Sequence, residues 1–190
     1  MADPRDAWRK RHYSAPRRVP PAFPGRQPAD PEKPWPEPTC FKWDVLLPPW
    51  ASADYLDPQT LCRAYGAQGW DGVKDLVVIA SFRMPETVSE PPTMSLPTAY
   101  GLVRSFAYQK LALERKLAVV AMHVPGRAGS DGLPPHGHVM ALARELGPAG
   151  FGSFVRPLAT DAGRKIIEAE WAAWRAAHSA SAPSTKATKK

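Results

Sequence analysis

The sequence LAVVAMHVPGRAGSDGLPPHGHVMALAR, residues 117–144, contains two apolar runs joined by a loop rich in glycine and proline. The first run ends on a histidine, His123, and the second begins with two more, His136 and His138. Short apolar runs with many β-branched residues are typical of buried strands. Because the 12-residue loop between the runs shows no helical pattern, the two strands are predicted to pair antiparallel.

The three histidines are predicted to share one face of this hairpin. His136 and His138 are two residues apart, so both side chains project from the same side of a strand. His123 ends the neighbouring strand, where antiparallel pairing brings it beside them. Three imidazoles beside a Gly/Pro-rich loop predict a metal site with open positions, able to polarise a phosphoryl oxygen or activate water. Gly137 points to the opposite face, where another element, with the final helix as the candidate, is expected to pack closely.

Further elements are predicted on both sides of the hairpin. Helical patterns cover residues 58–67, 98–115 and 160–177, and an apolar, β-branched run at 75–82 predicts one more strand. Residues 147–152 are predicted to form a loop. This order of elements predicts an α+β fold, in which an antiparallel sheet carries helices packed mainly on one face.

The two ends of the chain differ in composition from its middle. Twelve of the 23 prolines fall in the first 49 residues, which predicts an extended arm over 1–49, an ordered domain over 50–178 and a lysine-containing tail over 179–190. Basic tails occur as solubility features, and they also suit DNA phosphates through counterion release. The formal net charge is +7, and the arm residues predicted to contact DNA are Arg9, Lys10, Arg11, Arg17 and Arg18.

Nothing in the sequence indicates a membrane protein. Its apolar runs are far shorter than the roughly 20 residues that span a bilayer. Its first residues also lack the apolar stretch of a secretory signal. We therefore expect a cytoplasmic location and no membrane partner.

Two segments around the histidines resemble the MobA/MobL family of mobilisation relaxases, which are His-x-His endonucleases. They are AVVAMH at 118–123 and PHGHVMALAR at 135–144. In that family, a strand that ends in histidine leads through a short polar loop to a Pro-His-x-His strand closed by arginine. The resemblance extends roughly from Trp50 to Ala177 and is most specific at the histidines.

The resemblance implies a relaxase-like fold and a specific chemistry. His123, His136 and His138 would bind a divalent cation, with Mg²⁺ or Mn²⁺ as the ion in use and Zn²⁺ as the alternative. A tyrosine would attack single-stranded DNA at a plasmid transfer origin and form a phosphotyrosine link, as in conjugative mobilisation. Arg144 would contact the DNA backbone, and a surface ion pair with Glu145 is the alternative. Other mobilisation proteins are implied as partners.

The nucleophilic tyrosine of the family follows a first strand, and the sequence shows no such strand pattern here. Tyr13, in RHYS, has the expected order along the chain and basic neighbours that would lower its pKa. Tyr55 and Tyr65 are weaker candidates, since their positions favour packing. Either residues 43–47 complete the sheet, or the domain is a truncated or degenerate copy of the family's domain.

The residues leave three functions open. The first is metal-dependent nicking of single-stranded DNA, and the second is binding of single-stranded DNA without nicking, which the absent tyrosine context favours. The third is a three-histidine zinc hydrolase, with Asp131 as its candidate general base. Trapping of a phosphotyrosine adduct separates the first function from the other two, and metal-dependent ester hydrolysis would mark the third.

Overall fold

Five strands and three helices form the part of the chain that a computed structural model describes, residues 39–67, 77–129, 133–160 and 162–179. The strands are β1 (Cys40–Leu46), β2 (Val77–Arg83), β3 (Lys116–His123), β4 (His136–Gly147) and β5 (Gly150–Phe154). The helices are α1 (Pro58–Ala67), α2 (Leu96–Lys110) and α3 (Gly163–Ser179). Among these described helices, none is both long and apolar enough to cross a membrane.

The sheet is antiparallel throughout, with the strand order β1-β3-β4-β2. β3 and β4 form the predicted hairpin, in which Met122 lies opposite Gly137. The predicted α+β class with an antiparallel sheet is therefore confirmed. The prediction of a loop at 147–152 is wrong, because Gly150 adopts a positive φ of 107° and the chain reverses there into β5, which pairs with the far end of β4.

β1 lies inside the segment that proline content assigned to a flexible arm. It pairs antiparallel with β3, and its Leu46, opposite Ala118, is buried. The sheet thus begins ten residues before the predicted boundary at residue 50. The boundary was placed too late because the prolines were counted over residues 1–49 as a whole. Ten of these twelve prolines precede residue 39, and none lies within 39–47. The structure agrees with the alternative in which residues 43–47 complete the sheet; residues 1–38 and 180–190 lie outside the described residues.

Helices α2 and α3 cover one face of the sheet. Phe82 of β2 lies edge-on to Phe106 of α2 and stacks on Trp171 of α3, with ring centroids 5.7 and 4.5 Å apart. Gly137 faces this side, and a Cβ atom built there would meet Val103 of α2 at 2.7 Å. The element that packs closely against Gly137 is therefore α2, not the final helix.

Helix α1 packs on the opposite face, over the half of the sheet that is farther from the histidines. Its fully buried Leu61 belongs to a core cluster with Leu146 and Phe151. The Asp57 carboxylate caps the helix by accepting a hydrogen bond from the Thr60 N–H at 2.9 Å. The prediction that helices pack mainly on one face is confirmed, with α1 as the exception.

Candidate functional site

Antiparallel register brings the three histidines together at one end of the sheet. His123 and His136 are direct cross-strand neighbours, and His138 lies opposite Ala121. Alternate residues of a strand share a face, so all three imidazoles project from the face that also carries α1. The ring centroids are 4.9 Å apart for His136 and His138, 5.1 Å for His123 and His138, and 5.9 Å for His123 and His136.

Each of these imidazoles has its Nδ1 atom against an oxygen atom. The carbonyl oxygen beside His136 can only accept a hydrogen bond, so Nδ1 of that ring donates it, and in the neutral tautomer with this proton the lone pair is on Nε2. The hydroxyl oxygens beside the other two rings can accept in the same way. Contacts of this kind orient metal-binding histidines and set their tautomer. The pairs are Ser81 Oγ and His138 (2.8 Å), Thr39 Oγ1 and His123 (3.1 Å), and Pro134 O and His136 (3.2 Å).

The protonation state of His138 is shifted toward the neutral form. Burial is the main cause that lowers the pKa of His138 to about 4, and the nearby His123 and His136 act in the same direction. Because this pKa lies well below 7, the ring is neutral at neutral pH. A neutral imidazole is the form that binds a metal ion.

The donor set fits a divalent cation, although the rings are not yet arranged around one. Three imidazoles bound at about 2.0–2.1 Å, with angles of about 90–110°, would place their ring centroids about 4.5–5.2 Å apart. Two of the three pairs meet this range, and the pair of His123 and His136 is wider at 5.9 Å. Within the described segments, no three His, Cys, Asp or Glu side chains are already arranged to hold an ion. Metal binding would therefore require one of these two rings to turn.

Of the tyrosines considered as nucleophiles, the two in the described segments, Tyr55 and Tyr65, do not lie beside the histidines. Tyr13 and the predicted DNA-contacting residues of the arm lie outside the described residues. Tyr55 and Tyr65 pack against Phe151, with ring centroids 5.5 and 4.9 Å from it. Phe151 pairs with Leu146, which is eight residues beyond His138 on β4. At about 3.3 Å per residue, the two tyrosines lie roughly 26 Å along the strand from that histidine.

The other two tyrosines of the described segments, Tyr100 and Tyr108, lie on α2, which covers the opposite face of the sheet. Burial, with a smaller contribution from Asp44, raises the pKa of Tyr100 to about 12. The Tyr100 hydroxyl is buried and has no hydrogen-bond partner among the described residues. Neither residue is placed to attack a phosphate at the histidines.

Arg144 lies on β4 at a distance from the histidines and contacts β5. Its Nε donates a hydrogen bond to the carbonyl oxygen of Gly152 at 2.8 Å, and its guanidinium lies 4.9 Å from the ring centroid of Phe154. It is six residues from His138, or roughly 20 Å along an extended strand. These contacts assign Arg144 a structural role in holding β5 against β4. Its contact with DNA stays a prediction.

Two hydroxyl residues of the site were not predicted from the sequence. Ser81 lies on β2 directly opposite His138, and Thr39 immediately precedes β1. The alternation of β2 indicates that Ser81 and Arg83 share a face, but it carries no information about the strand that β2 pairs with. That partner is set by contacts distant in sequence, which only the fold reveals.

Comparison with known proteins adds a likeness in fold. No protein-family model matches the chain, and no curated protein sequence matches it. A solved structure that concerns the molecular basis of vancomycin resistance transfer in Staphylococcus aureus is similar, with a TM-score of 0.53 and 17% sequence identity. The likeness covers 73% of this chain and 69% of that chain. At this identity the likeness shows the fold alone.

Proposed function

We propose that this chain is a relaxase-type protein that nicks single-stranded DNA during plasmid mobilisation, with a divalent cation held by His123, His136 and His138. One observation carries the proposal. Three imidazoles meet on one sheet face, and each has its Nδ1 against an oxygen, which leaves Nε2 as the nitrogen assigned to the ion. The likeness to a protein studied for resistance transfer supports a role in DNA transfer.

The residues of the cluster suit this chemistry for a simple electrostatic reason. When bound, a divalent cation supplies electrophilic activation of a phosphoryl oxygen. Neutral imidazoles preserve the full charge of such an ion, whereas carboxylate ligands would offset part of it. The low pKa of His138 keeps that ring neutral at the pH at which Mg²⁺ or Mn²⁺ would be used. Zn²⁺ is the alternative ion, since imidazole nitrogen suits it well.

Tyr13 is the proposed nucleophile. The four tyrosines of the described segments lie on α2 or near Phe151, away from the cluster. Tyr13 is the one remaining tyrosine of the chain, and it lies among basic residues that suit a DNA strand: Arg9, Lys10, Arg11, Arg17 and Arg18. The chain leaves the described fold at Thr39, whose hydroxyl contacts His123. A segment that enters the fold at this point could bring a nucleophile to the site.

A second candidate function is binding of single-stranded DNA without nicking. It is favoured by the placement of the four tyrosines in the described segments, because none of them lies at the histidine cluster. In this alternative the histidines and their ion would hold a backbone phosphate without cleavage.

Covalent trapping distinguishes these functions. Purified protein is incubated with Mn²⁺ or Mg²⁺ and a panel of labelled single-stranded oligonucleotides, then separated on a denaturing gel. Nicking predicts a protein–DNA adduct that is lost in Tyr13→Phe and in His136→Ala but kept in the control Tyr108→Phe. Salt-sensitive DNA binding and metal binding without an adduct would indicate the binding function. Absence of metal binding in the wild-type protein would contradict both, and metal-dependent ester hydrolysis without DNA binding would indicate the hydrolase.

A further inference from the structure

Arg83 lies beside the histidine cluster at the end of β2. The register makes it the direct cross-strand neighbour of His136. Ser81, two residues earlier, contacts His138, so the alternation of the strand places Arg83 on the histidine face. Arg83 is exposed, and among the described residues no carboxylate lies within ion-pair distance of its guanidinium.

Most other arginines of the described segments are engaged within the fold. Three form ion pairs with acidic residues, and three lie over aromatic rings. The ion pairs join Arg104 to Asp44, Arg164 to Glu168 and Arg175 to Glu86, and the ring contacts join Arg115 to Trp50, Arg127 to Phe41 and Arg144 to Phe154.

The charge at this end of the sheet calls for an anionic ligand. Arg83 carries a permanent positive charge, and its neighbour His136 belongs to the set that would hold a divalent cation. Two positive centres on adjacent strands repel each other unless an anion lies between them or bridges them. A chain of phosphates meets this requirement better than a single anion, because it offers one anionic group to each centre.

We propose that Arg83 binds a backbone phosphate of single-stranded DNA next to the phosphate at the histidine cluster, so that the strand crosses the sheet end from β4 to β2. This inference rests on the proposed function. The planar guanidinium presents N–H donors in a fork that matches two phosphate oxygens. Cross-strand neighbours have Cβ atoms about 4.5–5.5 Å apart, so the long side chain of Arg83 reaches a phosphate adjacent to the one at His136.

The test compares Arg83→Gln with a matched variant, Arg156→Gln. Arg156 is also exposed, but it lies in a turn whose Leu158 packs into the core on the α2 and α3 side. Binding of a fluorescent single-stranded oligonucleotide is measured from about 50 mM to about 200 mM salt, where log affinity falls by about 0.7 per phosphate contact for each log unit of salt. Arg83→Gln is expected to weaken binding about tenfold and to reduce this slope by about 0.7, whereas Arg156→Gln leaves both unchanged.

Two further measurements separate this effect from a general loss of the site. Calorimetric titration with Mn²⁺ should give a metal affinity for Arg83→Gln no lower than that of the wild type, because Arg83 is not a ligand and its removal only relieves repulsion of the ion. Arg83→Lys keeps the charge but loses the planar fork, so it should retain the wild-type salt slope with an affinity between those of wild type and Arg83→Gln.

Each other result overturns the inference in a recognisable way. If Arg83→Gln and Arg156→Gln changed the DNA affinity and its salt slope equally, the proposed contact between Arg83 and a phosphate would be wrong. The proposed function would not be affected. If Arg83→Gln weakened binding to a duplex of the same sequence by the same factor as binding to the single strand, the assignment of a single-stranded ligand would be wrong. A wild-type protein without salt-sensitive binding to any single strand would overturn both this inference and the proposed function.

Discussion

The two halves of strand β4 present the same face of the sheet but carry different chemistry. In the half beyond the histidines, Met140, Leu142 and Leu146 are apolar and buried in the cluster with Leu61 of α1. At His136 and His138, the side chains are half-buried imidazoles whose Nδ1 atoms contact oxygens. One strand therefore combines a half that is buried under α1 with a half whose imidazoles are only partly buried.

The difference between the halves indicates how this fold separates stability from function. Burial of apolar side chains under α1 fixes the position of β4. The histidines lie on the same strand, so their positions are fixed as well, although they themselves contribute little apolar burial. The site is therefore positioned by residues that it does not contact. We expect substitutions in the covered half to change the free energy of unfolding, and substitutions in the histidine half to change metal affinity.

The largest expected effect comes from Leu61→Ala in the covered half. Leu61 is fully buried, and removing its side chain should lower the free energy of unfolding by about 2–5 kcal/mol. Denaturant unfolding of the metal-free protein measures this loss. Mn²⁺ affinity of the folded variant should match the wild type, because α1 packs at the far end of the sheet.

The matched control is Leu113→Ala, since Leu113 is 46% exposed. Its free energy of unfolding should stay within about 0.5 kcal/mol of the wild type. A clear drop in metal affinity of folded Leu61→Ala would show that the two halves are coupled, which would break the comparison.

An intermediate effect is expected for Gly137→Ala, which joins the histidine half to α2 on the other face. The new Cβ would meet the Val103 methyl carbons at 2.7 and 3.1 Å, so we expect a loss of about 1–3 kcal/mol in the free energy of unfolding. Because Gly137 lies between His136 and His138, metal affinity should fall as well. Adding Val103→Ala removes both methyl carbons, and the double variant should be more stable than the sum of the single losses predicts.

A second glycine provides the control for Gly137→Ala. Gly101 lies in α2, and a Cβ there has no atom within 4 Å. Gly101→Ala should therefore stabilise the protein by about 0.5–1 kcal/mol through its effect on helix propensity. If both alanine variants were equally stable, the close approach of α2 behind the histidines would be contradicted.

The histidine hairpin could be predicted because its information is local. Two β-branched runs, a short loop and the spacing of His136 and His138 are sufficient to place three imidazoles on one face. The role of Gly137 was half predicted in the same way. Close packing follows from a glycine between two functional positions, but the identity of the neighbour, Val103, depends on where α2 crosses the sheet.

The rest of the site could not be predicted because it depends on pairing between distant segments. Ser81 reaches His138 through the register of β2 with β4, and Thr39 reaches His123 because β1 pairs with β3. The sequence alone assigns the residues of β1 to the arm. The proline content was averaged over residues 1–49, and this average concealed a short strand near the end of that segment. Non-local pairing contributes no periodic signal of its own to a single sequence.

The smallest expected effect is that of Ser81→Ala, which tests whether the oxygens behind the imidazoles position them. The Ser81 hydroxyl lies 2.8 Å from Nδ1 of His138, so its removal should leave that ring freer to rotate and to change tautomer. Because this partner is a neutral hydroxyl, we expect a loss at the lower end of the usual range, about tenfold in Mn²⁺ affinity. Isothermal titration measures that affinity, and the nitrogen chemical shifts of the His138 ring report its tautomer.

Two controls separate positioning by Ser81 from a general structural effect. Ser81→Thr keeps a hydroxyl and should restore most of the affinity, whereas Ser105→Ala, at an exposed position of α2, should leave metal affinity unchanged. The free energy of unfolding should change by less than about 1 kcal/mol in all three variants, because both serines are exposed. If Ser81→Ala kept both the wild-type affinity and the wild-type ring shifts, the hydroxyl would have no positioning role. The strand geometry alone would then orient the imidazoles. In that respect the histidine half of β4 would be like the covered half, where no side-chain hydrogen bond is needed to position the apolar residues.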